Sequence, residues 1–421
     1  MNIDVNNLMR RSQYSFRLRV ALLLARIAGE ISRKFRLGAG VALAGKVLLL
    51  ASPTALVELS KSIETLFISA TNGKTTTTAL CAASLASLGP IATNGLGNNM
   101  SGGIAISLAS EPEAKLAVLE VDEAHLGDLI KKMRPTYVVL MNLSRDQLDR
   151  VSEVRNLAQK WANALYGAHD LKVIANISDP LVHFATREAT NIVRIELGLT
   201  WNLDAIACPI CDGTLIFTSC GRYGCISCDF GSPAPDYILK DRVLLGPNGF
   251  KVGVYVELPG EFNIQNAAMA LCLANEKGIA TSDAQTAISS IRSVSGRYQE
   301  VEYKRHNVTL LMAKNPAGWS AILETFDFNG KCIVLGLNAE IADGKDTSWI
   351  YDVDFAKLKD HEVKVTSKRA YDLAVRLGYA GINCEIILNQ LNAIDSSRSS
   401  EVIYIGNYTA FQKLRRHLGV S

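Results

Sequence analysis

No apolar run in this 421-residue sequence reaches the roughly 18 to 20 residues that a membrane-spanning helix needs. A secretory leader is missing too. The first 36 residues set repeated Arg inside their apolar pattern and offer no small-residue cleavage site, so the chain is expected to stay in the cytoplasm. Nor is there an excess of one charge. Lys and Arg number 44 against 41 Asp and Glu, and a net charge of +3 is too small to argue for nucleic acid as a partner. The 48% hydrophobic and 20% charged residues fit a soluble globular protein, long enough for two or three domains.

Against that background, Phe67-Ile-Ser-Ala-Thr-Asn-Gly-Lys-Thr-Thr-Thr-Thr78 stands out. A short apolar strand from Leu66 to Ile68 runs into a tight loop and then into a segment able to start a helix. Backbone N–H groups of Thr71, Asn72, Gly73 and the first helical turn through Thr76 can face a polyphosphate. Lys74 can reach its outer oxygens, and the Thr75 hydroxyl can ligate Mg²⁺. The general P-loop pattern wants Gly at Ile68, so only the shorter Thr-Asn-Gly-Lys-Thr-Thr form is present. The bland alternative is a strand-to-helix turn with a surface lysine.

Two further strands end in polar loops. Leu116 to Leu119 is wholly apolar and leads to Glu120-Val-Asp-Glu123. Acids at the carboxyl end of a buried strand are where an α/β ATPase holds its metal, which makes Glu120 the first choice for Mg²⁺ and Glu123 the next, against a solvated acidic turn. Tyr137 to Met141 leads to Asn142-Leu-Ser-Arg-Asp-Gln-Leu-Asp149. The repeat of strand, polar loop and helix predicts an α/β fold with a parallel-rich sheet that collects ligands at one edge. Between the first two strands, Ile91 to Gly103 is dense in Gly and Asn and lets backbone approach a ligand, or is an ordinary surface loop.

At the N-terminal end, residues 8 to 36 alternate Arg with apolar residues at near-helical spacing, with Glu30 the lone acid. Such a helix can lie on an anionic membrane surface or pack on the next domain with a solvated Arg face. Gly38, Gly40 and Gly45 are expected to break it before a second helical stretch near Ser52 to Ser62, with Ser52-Pro53 as its start. Residues 1–50 thus form a basic helical segment, 51–297 the ATPase domain and 298–421 a smaller α/β domain. The last carries strands at Ile333 to Leu337, Val363 to Thr366 and Val402 to Ile405. Arg297, at the boundary, suits a phosphate contact across a domain cleft.

Nine cysteines are present, and four fall into paired spacings: Cys208-Pro-Ile-Cys211 and, after thirteen residues, Cys225-Ile-Ser-Cys228. Two such knuckles can place four thiolates on one tetrahedral Zn²⁺. This clamps an insertion at 205–232 too small for its own core, and four thiolates leave no open position for catalysis. Cys220 could replace a ligand but lacks a paired partner. Cys81, Cys272, Cys332 and Cys384 lie in apolar contexts and read as core.

The order and spacing of Thr71-Asn-Gly-Lys-Thr-Thr76, Leu119-Glu-Val121, Asn142-Leu-Ser-Arg-Asp146 and Leu258-Pro-Gly-Glu-Phe-Asn-Ile-Gln-Asn266 resemble the Mur ligase central domain, with Ala70 where that family has Gly. The resemblance implies ATP and Mg²⁺ as cofactors and places Asn263 and Asn266 near the nucleotide base. Gln147 stands where many Mur ligases have a His that ligates a second Mg²⁺. The four-cysteine insertion, with Leu311 to Trp319, Ala342 to Asp354 and Gly406 to Ala410, is similar to the MurT family, the synthetase subunits of lipid II isoglutaminyl synthases. That resemblance covers nearly the whole chain. It implies amidation of the D-glutamate α-carboxylate of lipid II through an acyl phosphate, with ammonia from a GatD-like glutaminase and the enzyme peripheral at the inner face of the membrane.

One family residue is replaced. MurT proteins carry an Asp that is thought to complete the partner's Cys-His pair, and Ala339 occupies its place in Leu337-Asn-Ala-Glu-Ile-Ala-Asp-Gly344. Alanine cannot orient an imidazole. Glu340, one methylene longer than Asp, can substitute, with Asp343 as fallback. Otherwise the partner carries its own acid, or the protein is a stand-alone acid–amine ligase using free ammonia or an amino acid. A zinc-ribbon scaffold without turnover is a different class again, and intact Lys74, Thr75 and Glu120 argue against it.

Overall fold

The structure is a computed structural model and describes residues 14–35, 40–95, 98–146, 154–198, 201–294 and 296–420. Gln147 and Asp149 lie outside them. Two compact units are formed. The first comprises Met1–Leu143, Arg155–Val256 and Ile264–Ser290; the second comprises Ser144–Val154, Glu257–Asn263 and Ile291–Ser421.

In the first unit the described residues begin with three helices, α1 (Phe16–Lys34), α2 (Val41–Ala51) and α3 (Ala55–Ser60). It then alternates strand and helix: β1 (Glu64–Ser69), α4 (Lys74–Ser84), β2 (Ile91–Thr93), α5 (Ser101–Ser110), β3 (Leu116–Glu120), β4 (Tyr137–Leu140), β5 (Lys172–Asn176) and β6 (Ile192–Glu196). After a small hairpin, β7 (Leu215–Phe217) and β8 (Tyr223–Cys225), come β9 (Tyr237–Lys240), β10 (Val243–Leu245) and β11 (Lys251–Gly253). The nine-stranded sheet has the order β11-β10-β9-β6-β5-β4-β1-β3-β2. It is parallel from β2 to β9, and β10 pairs antiparallel with both β9 and β11 at the far edge. Central β1 and β3 are buried along nearly their whole length, which is why they read as unbroken apolar runs instead of alternating ones.

The second unit builds its own sheet from β12 (Tyr298–Tyr303), β13 (His306–Met312), β14 (Cys332–Gly336), β15 (Glu362–Thr366), β16 (Glu385–Ile386) and β17 (Glu401–Gly406). The strand order is β12-β13-β17-β14-β15-β16, with only β12 antiparallel to its neighbour. Alternate residues serve two cores. Ile333, Leu335, Ile403 and Ile405 join Trp319 and Leu373 on one face, while Val334, Val402 and Tyr404 join Phe411 and Leu414 on the other. A sheet covered on both faces satisfies the rule for parallel strands.

The structure corrects two local expectations. The helix expected near Ser52 to Ser62 is the single short α3, and Gly45 is not a break but sits inside α2. An ideal Cβ on Gly45 would lie 2.6 Å from the backbone of Gly102 in α5, so the glycine is there for a close helix crossing. Gly45→Val is therefore expected to destabilise the protein by about 1–3 kcal/mol through overpacking. Gly378→Ala, where nothing lies within 4 Å of the added methyl, should be neutral or stabilising. Thermal unfolding of the two variants checks this, and an unchanged midpoint for Gly45→Val contradicts it.

Candidate functional site

Parallel pairing brings the carboxyl ends of β1, β3 and β4 to one edge of the sheet, with Ile68 opposite Glu120 and Ser69 opposite Leu140. The loop after β1 is locked by the loop after β4. Thr71 N donates to Asn142 O at 3.0 Å, Asn72 N donates to Asn142 Oδ1 at 2.9 Å, and Asn142 Nδ2 returns a bond to Asn72 O at 3.0 Å. Gly73 then turns the chain into α4 at φ 84°, a left-handed conformation that a side chain adopts only with strain. A Cβ there would also sit 3.0 Å from Asn266 Oδ1. Asn266 therefore lies against the loop itself.

Lys74, Thr75 and Thr76 open α4 and are all buried, at the positive end of the helix dipole. The Thr75 hydroxyl donates to Glu120 Oε2 at 2.8 Å. Glu120 is 1% exposed, and its other oxygen accepts from Asn99 Nδ2 at 3.1 Å. Asn94, 1% exposed, holds the same residue's backbone by donating to Glu120 O at 2.6 Å and accepting from Glu120 N at 2.7 Å. A hydroxyl and a carboxylate, both hard oxygen donors and both fixed in place, fit the two-point protein ligation that Mg²⁺ takes beside a nucleotide phosphate. Glu123, the second choice for the metal, is placed differently. Its Oε2 pairs with Lys74 Nζ at 2.7 Å in a buried ion pair, and its backbone carbonyl accepts from Trp161 Nε1 at 2.8 Å. The ammonium of Lys74 is thus held at the loop by a counter-charge.

Other candidate residues are distributed more widely. Asn263 belongs to the second unit, where its Nδ2 donates to Pro259 O at 2.7 Å near the start of the helix Glu261–Glu276. Arg297 is also in the second unit, with Nη1 3.7 Å from Met312 Sδ. Asp146, within the Asn142 motif but in the second unit, pairs with Lys314 Nζ at 2.6 Å. The segment after β14 is held by Asn407: Asn338 N donates to Asn407 Oδ1 at 3.1 Å and Asn407 Nδ2 donates to Asn338 O at 2.7 Å. Asp343 is buried. It accepts from Thr409 N at 2.8 Å and from the Thr409 hydroxyl, in the first turn of the last helix, Tyr408–His417. Glu340 is only half-buried and pairs with Lys368.

The four cysteines of the insertion converge, with all four Sγ atoms within 4.8 Å of one another. Cys208 and Cys228 are 3.7 Å apart, Cys211 and Cys225 3.5 Å. Tetrahedral thiolates at 2.3 Å from a zinc ion lie about 3.8 Å from each other, so the donor set and its spacing fit Zn²⁺. Backbone N–H groups of Ile210 and Ser227 donate to Cys208 Sγ and Cys225 Sγ at 3.4 and 3.3 Å, the outer-shell bonds that orient thiolates. Cys220 is exposed and bonds to Thr218, outside the cluster. Cys81, Cys272 and Cys332 are buried and Cys384 half-buried.

The insertion is fastened to the helix Pro180–Thr186 by His183, whose ring stacks on Phe230 with centroids 4.9 Å apart and whose Nδ1 is 2.8 Å from Tyr223 Oη. Burial, with Arg194 and Arg187 nearby, pushes the His183 pKa down to about 4. The folded protein therefore prefers the neutral ring. Its contribution to stability is complete above about pH 6.5 and is lost as pH falls towards 4. His183→Phe is expected to flatten the midpoint-against-pH curve across this window; an unchanged slope would assign the acid lability elsewhere. In metal analysis of the purified protein, Cys211→Ser is expected to lose zinc carried by the parent, and equal metal content in both contradicts the site.

The Mur ligase middle domain model matches residues 68–202, and the MurT ligase C-terminal model matches residues 312–411. The lipid II isoglutaminyl synthase (glutamine-hydrolyzing) subunit MurT of Streptococcus pneumoniae is 31% identical, over 91% of this chain and 93% of its own. The protein of the same name from Staphylococcus aureus is 30% identical, over 95% of this chain and 98% of its own. Among solved structures, a pseudomurein peptide ligase type C from Methanothermus fervidus superposes with a TM-score of 0.66 at 20% identity, covering 86% of this chain and 80% of its own, a likeness of fold. The chain belongs to the MurT family and is a ligase built on the Mur ligase fold.

Proposed function

We propose that this protein amidates the D-glutamate α-carboxylate of the lipid II stem peptide, consuming ATP and using ammonia released by a GatD-like glutaminase subunit. The observation that carries the reading is the 2.8 Å contact of Thr75 with buried Glu120 beside Lys74, on a chain about 30% identical to named isoglutaminyl synthase subunits. A carboxylate does not react with an amine until it is activated. One carboxylate oxygen attacks the γ-phosphorus, the bond to the ADP oxygen breaks, and an acyl phosphate forms. Ammonia then adds to the acyl carbon, phosphate leaves with its bridging oxygen, and the nitrogen sheds a proton. Thr71 to Thr76 cradle the phosphates, Asn263 and Asn266 serve the base, and Arg297 serves a phosphate. Lys74 offsets charge on the transferring group. Thr75 and Glu120 would hold Mg²⁺, which would supply Lewis acidity there. The four cysteines would hold Zn²⁺ in a structural role.

In this reading Glu340 takes over from the absent aspartate in helping the glutaminase partner. Its carboxylate, half-buried and paired with exposed Lys368, is more accessible than that of Asp343, which is buried against Thr409, and this supports the choice. Lipid II as acceptor places the enzyme at the inner face of the membrane.

Lys74→Ala is expected to lower acceptor-dependent ATP hydrolysis by about a hundredfold or more; hydrolysis at the parent rate would sink the ligase assignment of this loop. Amide formation on lipid II should proceed with ammonium alone and with glutamine only when the partner is added. Glu340→Ala should remove the glutamine reaction and spare the ammonium one. If ammonium or an amino acid suffices and no partner binds, the protein is a stand-alone acid–amine ligase, and Ala339 marks its departure from the glutaminase system.

A further inference from the structure

Helix α1 carries two apolar faces. Leu18, Ala21, Leu22, Ala25 and Gly29 are buried, and the small ones let α2 come close, with an ideal Cβ on Gly29 3.4 Å from Ala44 Cβ. The opposite face is equally apolar but exposed: Phe16, Val20, Leu23, Leu24, Ile27, Ile31 and Phe35, with Phe16 81% and Phe35 68% exposed. At 3.6 residues per turn these seven fall within an arc of about 120°, the stripe expected of a helix that buries one side. No described residue covers it. Leu50 adds to it beside the N-terminal end of α1, because it is 72% exposed and its neighbour Ala51 accepts a hydrogen bond from Arg17 Nε at 2.7 Å.

Charge says what does cover it. Arg17, Arg19, Arg26, Arg33 and Lys34 stand on this helix against the single acid Glu30, which pairs with Arg26 at 2.9 Å, and Arg33 and Lys34 are exposed. Large apolar side chains flanked by long basic ones match the headgroup and upper acyl region of an anionic bilayer: the apolar groups enter and the cations snorkel to phosphate. A protein partner of ordinary charge gives those cations no such return. The helix is too polar to cross a membrane, as no helix among the described residues is long and apolar enough to do so.

We infer that the exposed face of α1 is a peripheral docking surface for an anionic lipid bilayer. The inference shares with the proposed reaction only the location of the acceptor. Its assay contains neither ATP nor acceptor, so the two can fail separately.

Flotation with phosphatidylglycerol vesicles and with phosphatidylcholine vesicles tests it. The full chain should float with the first and much less with the second. Leu24→Asp with Ile27→Asp should abolish flotation while leaving the unfolding midpoint and amide formation on detergent-dispersed acceptor unchanged. Arg33→Gln and Lys34→Gln should each weaken binding to anionic vesicles about fivefold, with little effect on neutral ones. Equal flotation of the aspartate variant and the parent overturns the inference. So does a parent that forms dimers which the aspartate variant splits, without either binding vesicles, since the face is then an interface between copies. Flotation without amide formation leaves the docking surface standing and removes the reaction.

Discussion

A carboxylate as buried as Glu120 costs several kcal/mol to desolvate unless its oxygens find partners. Much of the surrounding structure meets that requirement. Asn94 fixes its backbone, Asn99 and Thr75 take its two oxygens, and the register of β3 against β1 puts it across from the residue before the phosphate loop. Lys74 is treated likewise, with Glu123 as counter-charge. The result is two buried charged groups held at the start of a helix, where a polyphosphate can draw on both the dipole and the lysine without prior reorganisation.

The parts of this site that were legible from the sequence are those fixed by local geometry. A left-handed Gly73 between an apolar strand and a helix is a pattern of adjacent residues, as is an acid closing a buried strand. What escaped was set by contacts across the sheet. Asn94 and Asn99 were visible only as members of a Gly- and Asn-rich stretch, because their pairing with Glu120 depends on β2 lying beside β3. Glu123 read as a metal ligand by proximity to Glu120, yet its side chain answers Lys74. Gly45 illustrates the same limit: a glycine in an apolar segment signals a break when read alone, and a close helix crossing once Gly102 is found against it.

The cysteine cluster and the C-terminal sheet contrast in the same way. Two CxxC pairs constrain themselves through ligand chemistry, so their convergence followed from spacing alone. The strands β14, β15 and β17 were evident as apolar runs, whereas β12, β13 and the short β16 were not. β12 and β16 carry acidic and polar residues and are edge strands, so the sheet and not the segment defines them. Between them, the Asn338–Asn407 exchange and the Asp343–Thr409 contact lock the segment that carries Ala339 and Glu340, leaving Glu340 the more exposed acid.

The proposed reaction requires the acceptor carboxylate to be phosphorylated before nitrogen arrives. Heavy-oxygen label in that carboxylate, followed into inorganic phosphate during turnover with ammonium, tests this directly. One labelled oxygen in each phosphate released is the predicted result. Phosphate that carries no label while amide accumulates would contradict activation by the Lys74 loop and with it the proposed reaction.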